Sequence, residues 1–456
     1  MDASVPSLRD GGHRRASAQP AKAFFVRMLT RDISLEDCIL DLIDNSVDGA
    51  WRQSKKAPDR LVSNKDLVNY EIDVRFTKTS FSILDNCGGI SLDDAVNYAF
   101  TFGRHESQKV SPFSVGVYGI GMKRAVFKIG RDIAVESTYM ENGRPRSYVV
   151  PIVVDQWLRA DQGSWDFDID DSPPLKSAGV KITVTALTDE TSTRLSDPNY
   201  GTHLRQLLGR DYLVPLMRGL TITVNGKAVE YEPITFLQSK DFVPMNDSYV
   251  DSSVRVDIRA GMWKAPPSSL EPRGGRDTDT RSGWYVICNG RVILEADRSA
   301  LTGWGADRTP SWHAQYSGFL GVLSFSSKNP LLLPMTTTKR SVDVSSAVYL
   351  RAKSRLQQTT KTWTAYTSQR KGDPEAASSA EEGATGKVIT SLAKNPALRL
   401  PTLQARNNLT SVQYQVEAVR MKRLALAFGS RSLSNREVGK RAFDFAFENL
   451  TEPEDE

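Results

Sequence analysis

Residues 41–48 read DLIDNSVD, within an apolar segment that we predict to be a helix from Ser34 to about Trp51. Ser34, followed three residues later by an acid, forms a capping box that marks the start of this helix. The polar side chains that recur every three to four residues, and therefore share one helix face, are Asp37, Asp41, Asn45 and Asp48. Like charges stacked in this way repel unless a cation or ligand relieves them, and an amide among carboxylates suits Mg²⁺. A solvated acidic face is the alternative.

A second motif, residues 82–90 (SILDNCGGI), follows a predicted hairpin with strands over 70–76 and 81–84. Asp85 stands at the end of the second strand, and paired glycines follow it, so an acceptor lies beside a bare backbone. This arrangement suits the amino group of a purine that packs against the loop. A plain Asp-Asn turn is the alternative.

A third motif, residues 116–123 (GVYGIGMK), opens a helix that we predict from Met122 toward Ile129. Its glycines let backbone N–H groups approach phosphates, the helix start favours anions, and Lys123 adds a positive charge. The motif lacks the Lys-Ser/Thr ending of a P-loop and the βαβ setting of a dinucleotide fingerprint. An ordinary flexible loop before a helix is the alternative.

The rest of the chain indicates a second α/β domain and a helical tail. Strands are predicted on both sides of 141–143 and over 180–184, and hairpin turns at Asn225-Gly226 and Asn289-Gly290. Helices are predicted over 345–368, 412–428 and 434–449. We therefore expect a flexible arm (1–22), a first α/β domain (23–204), a second α/β domain (205–371), a linker (372–387) and a helical C-terminal interaction region (388–456).

Composition excludes several classes of protein. The 456 residues are 39% hydrophobic and 25% charged, as in globular domains, and no apolar run is long enough to span a bilayer. The N-terminal residues lack the apolar core of a signal peptide. The three cysteines, Cys38, Cys87 and Cys288, are odd in number and widely spaced, which favours a reducing compartment. We expect a cytoplasmic protein, and its net charge of +5 is compatible with nucleic-acid contact without requiring it.

Together the three motifs resemble, in order and spacing, those of the GHKL (Bergerat-fold) ATPase superfamily, which includes gyrase B, MutL, the ninety-kilodalton heat-shock chaperone, MORC proteins and histidine kinases. The resemblance covers about residues 25–190 and is closest to MORC-type proteins, on the runs AFTFG at 99–103 and YGIGMK at 118–123. Residues 205–360 resemble the transducer domain of gyrase B and MutL. The implied fold is a two-layer α/β sandwich of Bergerat type, then an α/β transducer-like domain and a small helical C-terminal region.

The resemblance implies that the chain binds ATP and Mg²⁺. By it, Asn45 would ligate Mg²⁺, Asp85 would accept a hydrogen bond from adenine, and Gly89 would let the base pack closely. Asp48 would also contribute to the nucleotide site. The triphosphate, beneath a mobile lid over about 101–120, would be lined by Gly116, Gly119, Ile120, Gly121, Met122 and Lys123.

Three positions depart from the family pattern. The general-base glutamate of the family falls at Asp41, whose side chain is shorter by about 1.5 Å, so we expect slow hydrolysis. Cys87 stands where the first glycine after the adenine-binding aspartate is usual. Val180 stands in place of the family's threonine, with Thr183 as a candidate substitute.

The resemblance also implies a lysine that reaches back from the second domain to the γ-phosphate. Lys339, in the run PMTTTKR at 334–340 just before a predicted helix, is the candidate catalytic residue, with Arg340 in reserve. An exposed basic turn is the alternative. If Lys339 contacts the γ-phosphate, it couples the nucleotide state to the angle between the domains.

We therefore predict an ATPase that closes as a homodimer when ATP is bound and opens after hydrolysis. By resemblance to bacterial relatives, it would act on DNA or on a partner effector, in DNA processing or antiphage defence. Six basic residues could touch DNA phosphates, although a solvated helix face explains them as well: Arg351, Lys353, Arg355, Lys361, Arg370 and Lys371.

The competing interpretation is a chaperone-like or scaffold switch that binds a protein partner, with little hydrolysis and no DNA binding. The tail helix from Ser434 would then dock a partner or stabilise a dimer, and a helix-turn-helix is a further interpretation of that segment. A histidine kinase is disfavoured, because no histidine lies on a convincing helical hairpin ahead of the first domain; the four are His13, His105, His203 and His313. The sequence shows neither a Cys/His cluster with metal-site spacing nor an acidic nuclease motif in the tail.

Overall fold

The computed structural model describes residues 21–103, 111–117, 119–160, 165–267, 279–372, 374–403, 412, 415–430 and 432–451. Most of the expected N-terminal arm, the centre of the expected lid, Tyr118 and the last tail residues lie outside the described residues. The chain divides into two compact units, Met1–Gln404 and Ala405–Glu456.

Helices and strands are mixed along the first unit, and the second unit is helical. The helices are α1 (Lys22–Arg31), α2 (Leu35–Ser54), α3 (Leu92–Asp94), α4 (Gly121–Ile129), α5 (Val154–Arg159), α6 (Asp189–Leu195), α7 (Tyr200–Asp211), α8 (Leu213–Met217), α9 (Ala347–Gln369), α10 (Pro374–Glu382), α11 (Ala418–Ala427) and α12 (Asn435–Leu450). The strands are β1 (Glu71–Phe76), β2 (Phe81–Asp85), β3 (Gly130–Glu141), β4 (Arg144–Val153), β5 (Asp170–Asp171), β6 (Gly179–Leu187), β7 (Thr221–Val224), β8 (Lys227–Ala228), β9 (Thr235–Gln238), β10 (Met245–Asp251), β11 (Val254–Met262), β12 (Gly283–Cys288), β13 (Arg291–Asp297), β14 (Phe319–Ser326) and β15 (Thr385–Val388). Among the described residues, no helix combines the length and the apolar character needed to cross a membrane.

The first sheet has eight strands in the order β5-β4-β3-β6-β2-β1-β7-β8, and α2 packs on one of its faces. Ile39, Ile43 and Val47 recur every four residues on α2, and they share one core with Ile83 and Val184 of the strands. Each such side chain contributes about 1.5–3 kcal/mol on burial. A helical layer on a mixed sheet confirms the predicted α/β sandwich.

Helix α2 begins where the sequence predicts. The Ser34 hydroxyl accepts a hydrogen bond from the Asp37 backbone N–H at 3.0 Å, which satisfies one of the free donors at the helix start. The helix ends at Lys55, whose backbone is left-handed (φ 54°). These two ends fix the register of the acidic face on α2.

The predicted hairpins are confirmed. β1 pairs antiparallel with β2, and the Asn225-Gly226 and Asn289-Gly290 turns join β7 to β8 and β12 to β13. β7 also pairs in parallel with β1, Ile222 opposite Ile72. The first sheet therefore continues to residue 228, beyond the boundary expected at 204.

The second sheet has five strands in the order β10-β11-β14-β12-β13, and α9 covers it. α9 is the helix that the sequence predicts over 345–368. The Trp284 indole N–H donates to the Thr360 hydroxyl at 3.0 Å, and the Trp363 indole N–H donates to the Tyr316 carbonyl at 2.9 Å. Both indoles are fully buried, so these bonds satisfy donors that would otherwise be costly to bury.

The stretch 372–387 differs from the expected linker. It contains α10 and most of β15, and β15 pairs antiparallel with β9 of the first unit. The Arg370 guanidinium also binds both carboxylate oxygens of Glu381 on α10, at 2.7 and 2.9 Å. Small and polar composition indicated a linker, but strand pairing and this ion pair give the stretch fixed partners.

The second unit is a pair of helices, α11 and α12. α12 begins with a capping box formed by Ser434 and Glu437, in which each side chain bonds the backbone N–H of the other residue. At Ser34 only the first of these two bonds is present. α11 begins at Ala418, six residues later than the sequence predicts. Among the described residues of this unit, Ala425 and Val438 are the buried apolar side chains, so the pair has a small core of its own.

Candidate active site

The acidic face of α2 points at the glycine-rich segment before α4. The Asp48 carboxylate accepts hydrogen bonds from the backbone N–H groups of Val115 and Gly116, each at 2.9 Å. Burial raises the pKa of Asp48 to about 6, against the opposing effect of these two hydrogen bonds. Asp48 therefore holds the start of the glycine-rich segment against α2.

Asp85 lies at the end of β2, directly below α2. Its carboxylate accepts hydrogen bonds from the Ser46 hydroxyl at 2.6 Å, the Cys87 N–H at 2.8 Å and the Val180 N–H at 3.2 Å. Burial raises its pKa, because all three donors are neutral and only partly offset the desolvation of the charge. A carboxylate of this kind can accept one further hydrogen bond, such as that of a purine amino group.

Gly89 is needed where it stands. Its φ is +71°, and a Cβ there would lie 2.1 Å from the Thr138 carbonyl oxygen. Cys87, in place of the usual glycine, is 2% exposed and packs against α2, where a Cβ on Gly49 would lie 2.8 Å from its carbonyl oxygen. The loop thus presses its backbone against both β3 and α2.

Thr183 is not placed to substitute for the family's threonine. On β6 its neighbours Ile182 and Val184 face the core below α2, so alternation turns Thr183 to the other face of the sheet. It lies opposite Ser82 rather than Asp85. Val180 donates its backbone N–H to Asp85 at 3.2 Å, a contact that does not depend on the side chain at this position.

The residues predicted to line the triphosphate gather at the start of α4. Ile120 is the N-terminal cap residue of α4, Gly121 begins the helix, and Met122 packs on the core. Gly119 has φ +69°, as a tight turn requires. A Cβ on Gly121 would lie 3.3 Å from the Asp41 carboxylate, so the helix start closely approaches α2.

Lys123 differs from a lysine that projects into a phosphate site. It is 2% exposed, and its ammonium donates to the Ala99 carbonyl at 2.8 Å and to the Gly119 carbonyl. Ala99 precedes the expected lid and Gly119 lies near its end. Lys123 therefore ties the two ends of the lid segment together.

Lys339 reaches α2 from the second half of the unit. Its ammonium donates to Asp41 at 3.0 Å and to Asp44 at 2.7 Å, and all three side chains are buried. Despite burial, the pKa of Lys339 is raised, because the two carboxylates favour the charged form. Arg340 also reaches α2, where its guanidinium binds Asp37 at 2.5 Å.

Sequence reasoning missed several members of this ion-pair cluster. Asp44 accepts from the Arg291 guanidinium at 3.1 Å and from the Tyr212 hydroxyl at 2.8 Å, in addition to Lys339. Burial opposes its ionisation, but Lys339 and Arg291 outweigh it and hold the pKa of Asp44 below its usual range. Asp41 also binds Arg124 of α4 at 2.5 Å. We define the central cluster by its members, Asp37, Asp41, Asp44, Arg124, Asp211, Arg291, Lys339 and Arg340.

Asn45 fits a role as a ligand of Mg²⁺. Its side chain is exposed, and its amide oxygen would lie 3.4 Å from a Cβ on Gly116, so it borders the phosphate loop. Mg²⁺ retains waters and phosphate oxygens and needs few protein ligands. Among the described residues, no group of three or more acidic, histidine or cysteine side chains is suited to a metal.

The basic residues proposed for DNA contact are largely engaged within the protein. Arg351 binds Asp251 and Arg355 binds Asp247, each at 2.5 Å. Lys353 donates to the Ala300 carbonyl at 2.7 Å. Arg370 binds Glu381, and Lys371 binds Gln315. These contacts favour the interpretation of a solvated helix face.

Comparison with known proteins bears on the N-terminal part of the chain. No match was found among curated proteins. Residues 33–153 match the family model described as "Histidine kinase-, DNA gyrase B-, and HSP90-like ATPase", and this segment contains the three motifs. The match does not separate MORC or MutL proteins from the others. The match supports a GHKL-type ATPase domain at residues 33–153, for which ATP is the expected ligand.

Proposed function

We propose that the chain is an Mg²⁺-dependent ATPase that works as an ATP-gated switch. The main support is the Lys339 ammonium, which joins the second half of the first unit to Asp41 and Asp44 on the helix of the matched domain. A cation in this position can respond to the γ-phosphate and carry that response to the second sheet.

The adenine end of the site would use Asp85 and Gly89. The buried Asp85 carboxylate accepts the amino group of the base, and the missing Cβ at Gly89 lets the loop stay close to β3. Asn45 would hold Mg²⁺, which neutralises phosphate charge when bound. Asp48 keeps the glycine-rich segment 115–116 in place beside it.

Hydrolysis would use Asp41 as the general base. A water oxygen attacks the γ-phosphorus, the bond from that phosphorus to the β–γ bridging oxygen breaks, and ADP leaves with the electron pair. Asp41 accepts the proton released by the water. Because Asp41 is shorter than the usual glutamate, we expect slow turnover.

The experiment is to measure ATP binding and hydrolysis by the full chain beside Asp41→Ala and Asp85→Ala. Wild type should bind and hydrolyse ATP, Asp41→Ala should bind without turnover, and Asp85→Ala should not bind. Wild type that binds no ATP would refute the proposal. Molecular mass with and without a non-hydrolysable ATP analogue tests whether ATP closes a homodimer.

For the downstream target, a protein partner is favoured over DNA. The arginines at 351, 355 and 370 are paired with acids, whereas α12 exposes an apolar stripe. Phe443, Phe447 and Leu450 lie on one face of α12, and all three are exposed. A salt-dependent gel shift of DNA would favour the DNA branch instead, and co-purification that is lost on removing residues 418–456 would favour the protein branch.

A further inference from the structure

Two cations hold the proposed catalytic carboxylate from opposite sides. One Asp41 oxygen accepts from Lys339 at 3.0 Å, and the other accepts from a terminal nitrogen of Arg124 at 2.5 Å. The Asp41 and Lys339 side chains are less than 10% exposed, and that of Arg124 is 15% exposed. Because both oxygens already accept hydrogen bonds from cations, an attacking water must compete with these cations for Asp41.

Arg124 has donor capacity to spare. Its Nε–H is buried and, among the described residues, has no hydrogen-bond partner. A guanidinium offers a rigid fork of donors that suits a phosphate or a carboxylate, so an unused buried donor indicates that an anion is missing from its surroundings. Asp41 does not satisfy this Nε–H, because it binds a terminal nitrogen of the Arg124 guanidinium instead.

The location of Arg124 fits a phosphate. It lies in the first turn of α4, at the helix end that favours anions. Because Gly121 has no Cβ, the Asp41 carboxylate lies in close contact with that helix start; a Cβ there would be 3.3 Å from it. Asp41 thus occupies the side of α4 where an anion is stabilised.

The central cluster is balanced in charge without nucleotide. Its four carboxylates, Asp37, Asp41, Asp44 and Asp211, face four cations, Arg124, Arg291, Lys339 and Arg340. Arg210 also pairs with Asp211, at 3.0 Å, and its charge is matched in turn by Glu295 at 2.7 Å. An arriving phosphate must therefore compete with a carboxylate for a cation. Phosphate oxygens are strong acceptors of charge-assisted hydrogen bonds, and Arg pairs with them in a bidentate manner.

We propose that Arg124 is a second ligand of the terminal phosphate and that it and Lys339 exchange Asp41 for that phosphate. Only a triphosphate then releases Asp41 to act as a base, whereas with ADP bound Asp41 stays paired with Arg124 and Lys339. This inference rests on the proposed function, because it assigns a ligand exchange to the same site.

The test compares affinities for a non-hydrolysable ATP analogue and for ADP, measured by calorimetry on the full chain. Arg124→Gln should weaken binding of the analogue by about tenfold or more, and ADP binding by less than about twofold. Arg124→Lys should retain part of the preference. Lys128→Gln is the matched control, since Lys128 lies one turn later on α4 and pairs with Glu190 at 2.8 Å, and it should leave both affinities unchanged.

A second measurement tests directly whether the ion pairs of Asp41 with Arg124 and Lys339 oppose binding of the analogue. Asp41→Asn should bind the analogue several-fold more tightly than wild type, because the two cations no longer have to leave a carboxylate. Equal losses for the analogue and ADP in Arg124→Gln, or unchanged analogue affinity in Asp41→Asn, would overturn the inference. Wild type that binds neither nucleotide would instead overturn the proposed function. Should Arg124→Gln not fold, Arg124→Lys and Asp41→Asn still decide.

Discussion

The two ends of the candidate nucleotide site satisfy their carboxylates in different ways. At the adenine end, Asp85 is held by neutral donors, and its pKa is raised by burial. At the phosphate end, Asp44 is held by Lys339 and Arg291, and its pKa is lowered. The first end is built within the first sheet and α2. The second end also needs residues of the second half that reach α2, namely Arg291, Lys339 and Arg340.

This difference separates recognition from response. Neutral hydrogen bonds of fixed length make a rigid acceptor that any adenine nucleotide can use. Ion pairs can exchange one anion for another, and the exchange moves the segment that carries the cation. On the proposed function, the adenine end would bind the base, and the phosphate end would sense the number of phosphates.

The largest stability effect should come from removing Asp44. Asp44→Ala leaves the buried Lys339 and Arg291 short of an anion, and we expect the free energy of unfolding to fall by about 3 kcal/mol. Chemical denaturation measures this loss. Tyr212→Phe, which removes one hydrogen bond from Asp44, should cost only about 1 kcal/mol. Similar losses in the two variants would show that the ion pairs add little.

At the adenine end, a methyl group should be the damaging change. Gly89→Ala puts a Cβ 2.1 Å from the Thr138 carbonyl oxygen at φ +71°, so the loop must shift. We expect a loss of about 2–3 kcal/mol in stability and weaker binding of ATP and ADP alike. Gly143→Ala is the control, because φ is +75° there with nothing within 4 Å, and it should cost about 1 kcal/mol. Equal losses in Gly89→Ala and Gly143→Ala would mean that backbone strain, and not the contact with Thr138, accounts for the effect.

The pH dependence of stability should differ between Asp48 and Asp44. The pKa of Asp48 is about 6 in the folded protein against an ordinary 3.8. Between those values the folded state binds more protons, so the contribution of Asp48 to stability falls as pH rises. Asp44 has a lowered pKa, so its contribution is present above its ordinary pKa and is lost as pH falls.

Asp48→Asn isolates the first of these contributions. Chemical denaturation at pH 4 and at pH 7 gives, for each protein, the change in unfolding free energy between the two pH values. This change should differ between Asp48→Asn and wild type by about 1 kcal/mol, a value reduced because Asp48 is partly exposed. The variant should be relatively more stable at pH 7 than at pH 4, compared with wild type. An unchanged difference would contradict the raised pKa of Asp48.

The smallest effect should come from the ion pairs of α9. Arg351 pairs with Asp251 but is 52% exposed, so Arg351→Ala should change the unfolding free energy by less than about 0.5 kcal/mol. Lys361→Ala, at an exposed position of the same helix, is the control. A loss near that of Asp44→Ala would mean that exposure does not distinguish the two sets of ion pairs.

Local signals in the sequence were sufficient for most of the fold. The Ser34 cap, the alternation of β1 and β2 and the Asn-Gly turns depend on neighbours in sequence, and the structure has them where they were predicted. The sequence also predicts which face of the sheet Thr183 occupies, because the apolar residues Val180, Ile182 and Val184 alternate with it on the opposite face.

The central cluster could not be derived in the same way. Arg291 and Asp44 are separated by 247 residues, and nothing near Arg291 in sequence marks it as a partner of α2. Arg124 offered a weak signal, a second basic residue directly after Lys123 at a helix start. Lys339 is predicted only through the family resemblance, which does not imply its contact with Asp41.

The parallel pairing of β1 with β7 has a consequence for how the chain folds. Until residues 221–224 have been made, one long edge of β1 has no partner, and exposed strand edges recruit other chains. Pairings so distant in sequence also form slowly. A fragment ending at 204 should therefore aggregate more readily than one ending at 228, and during synthesis the earlier sheet should depend on chaperones until β7 arrives.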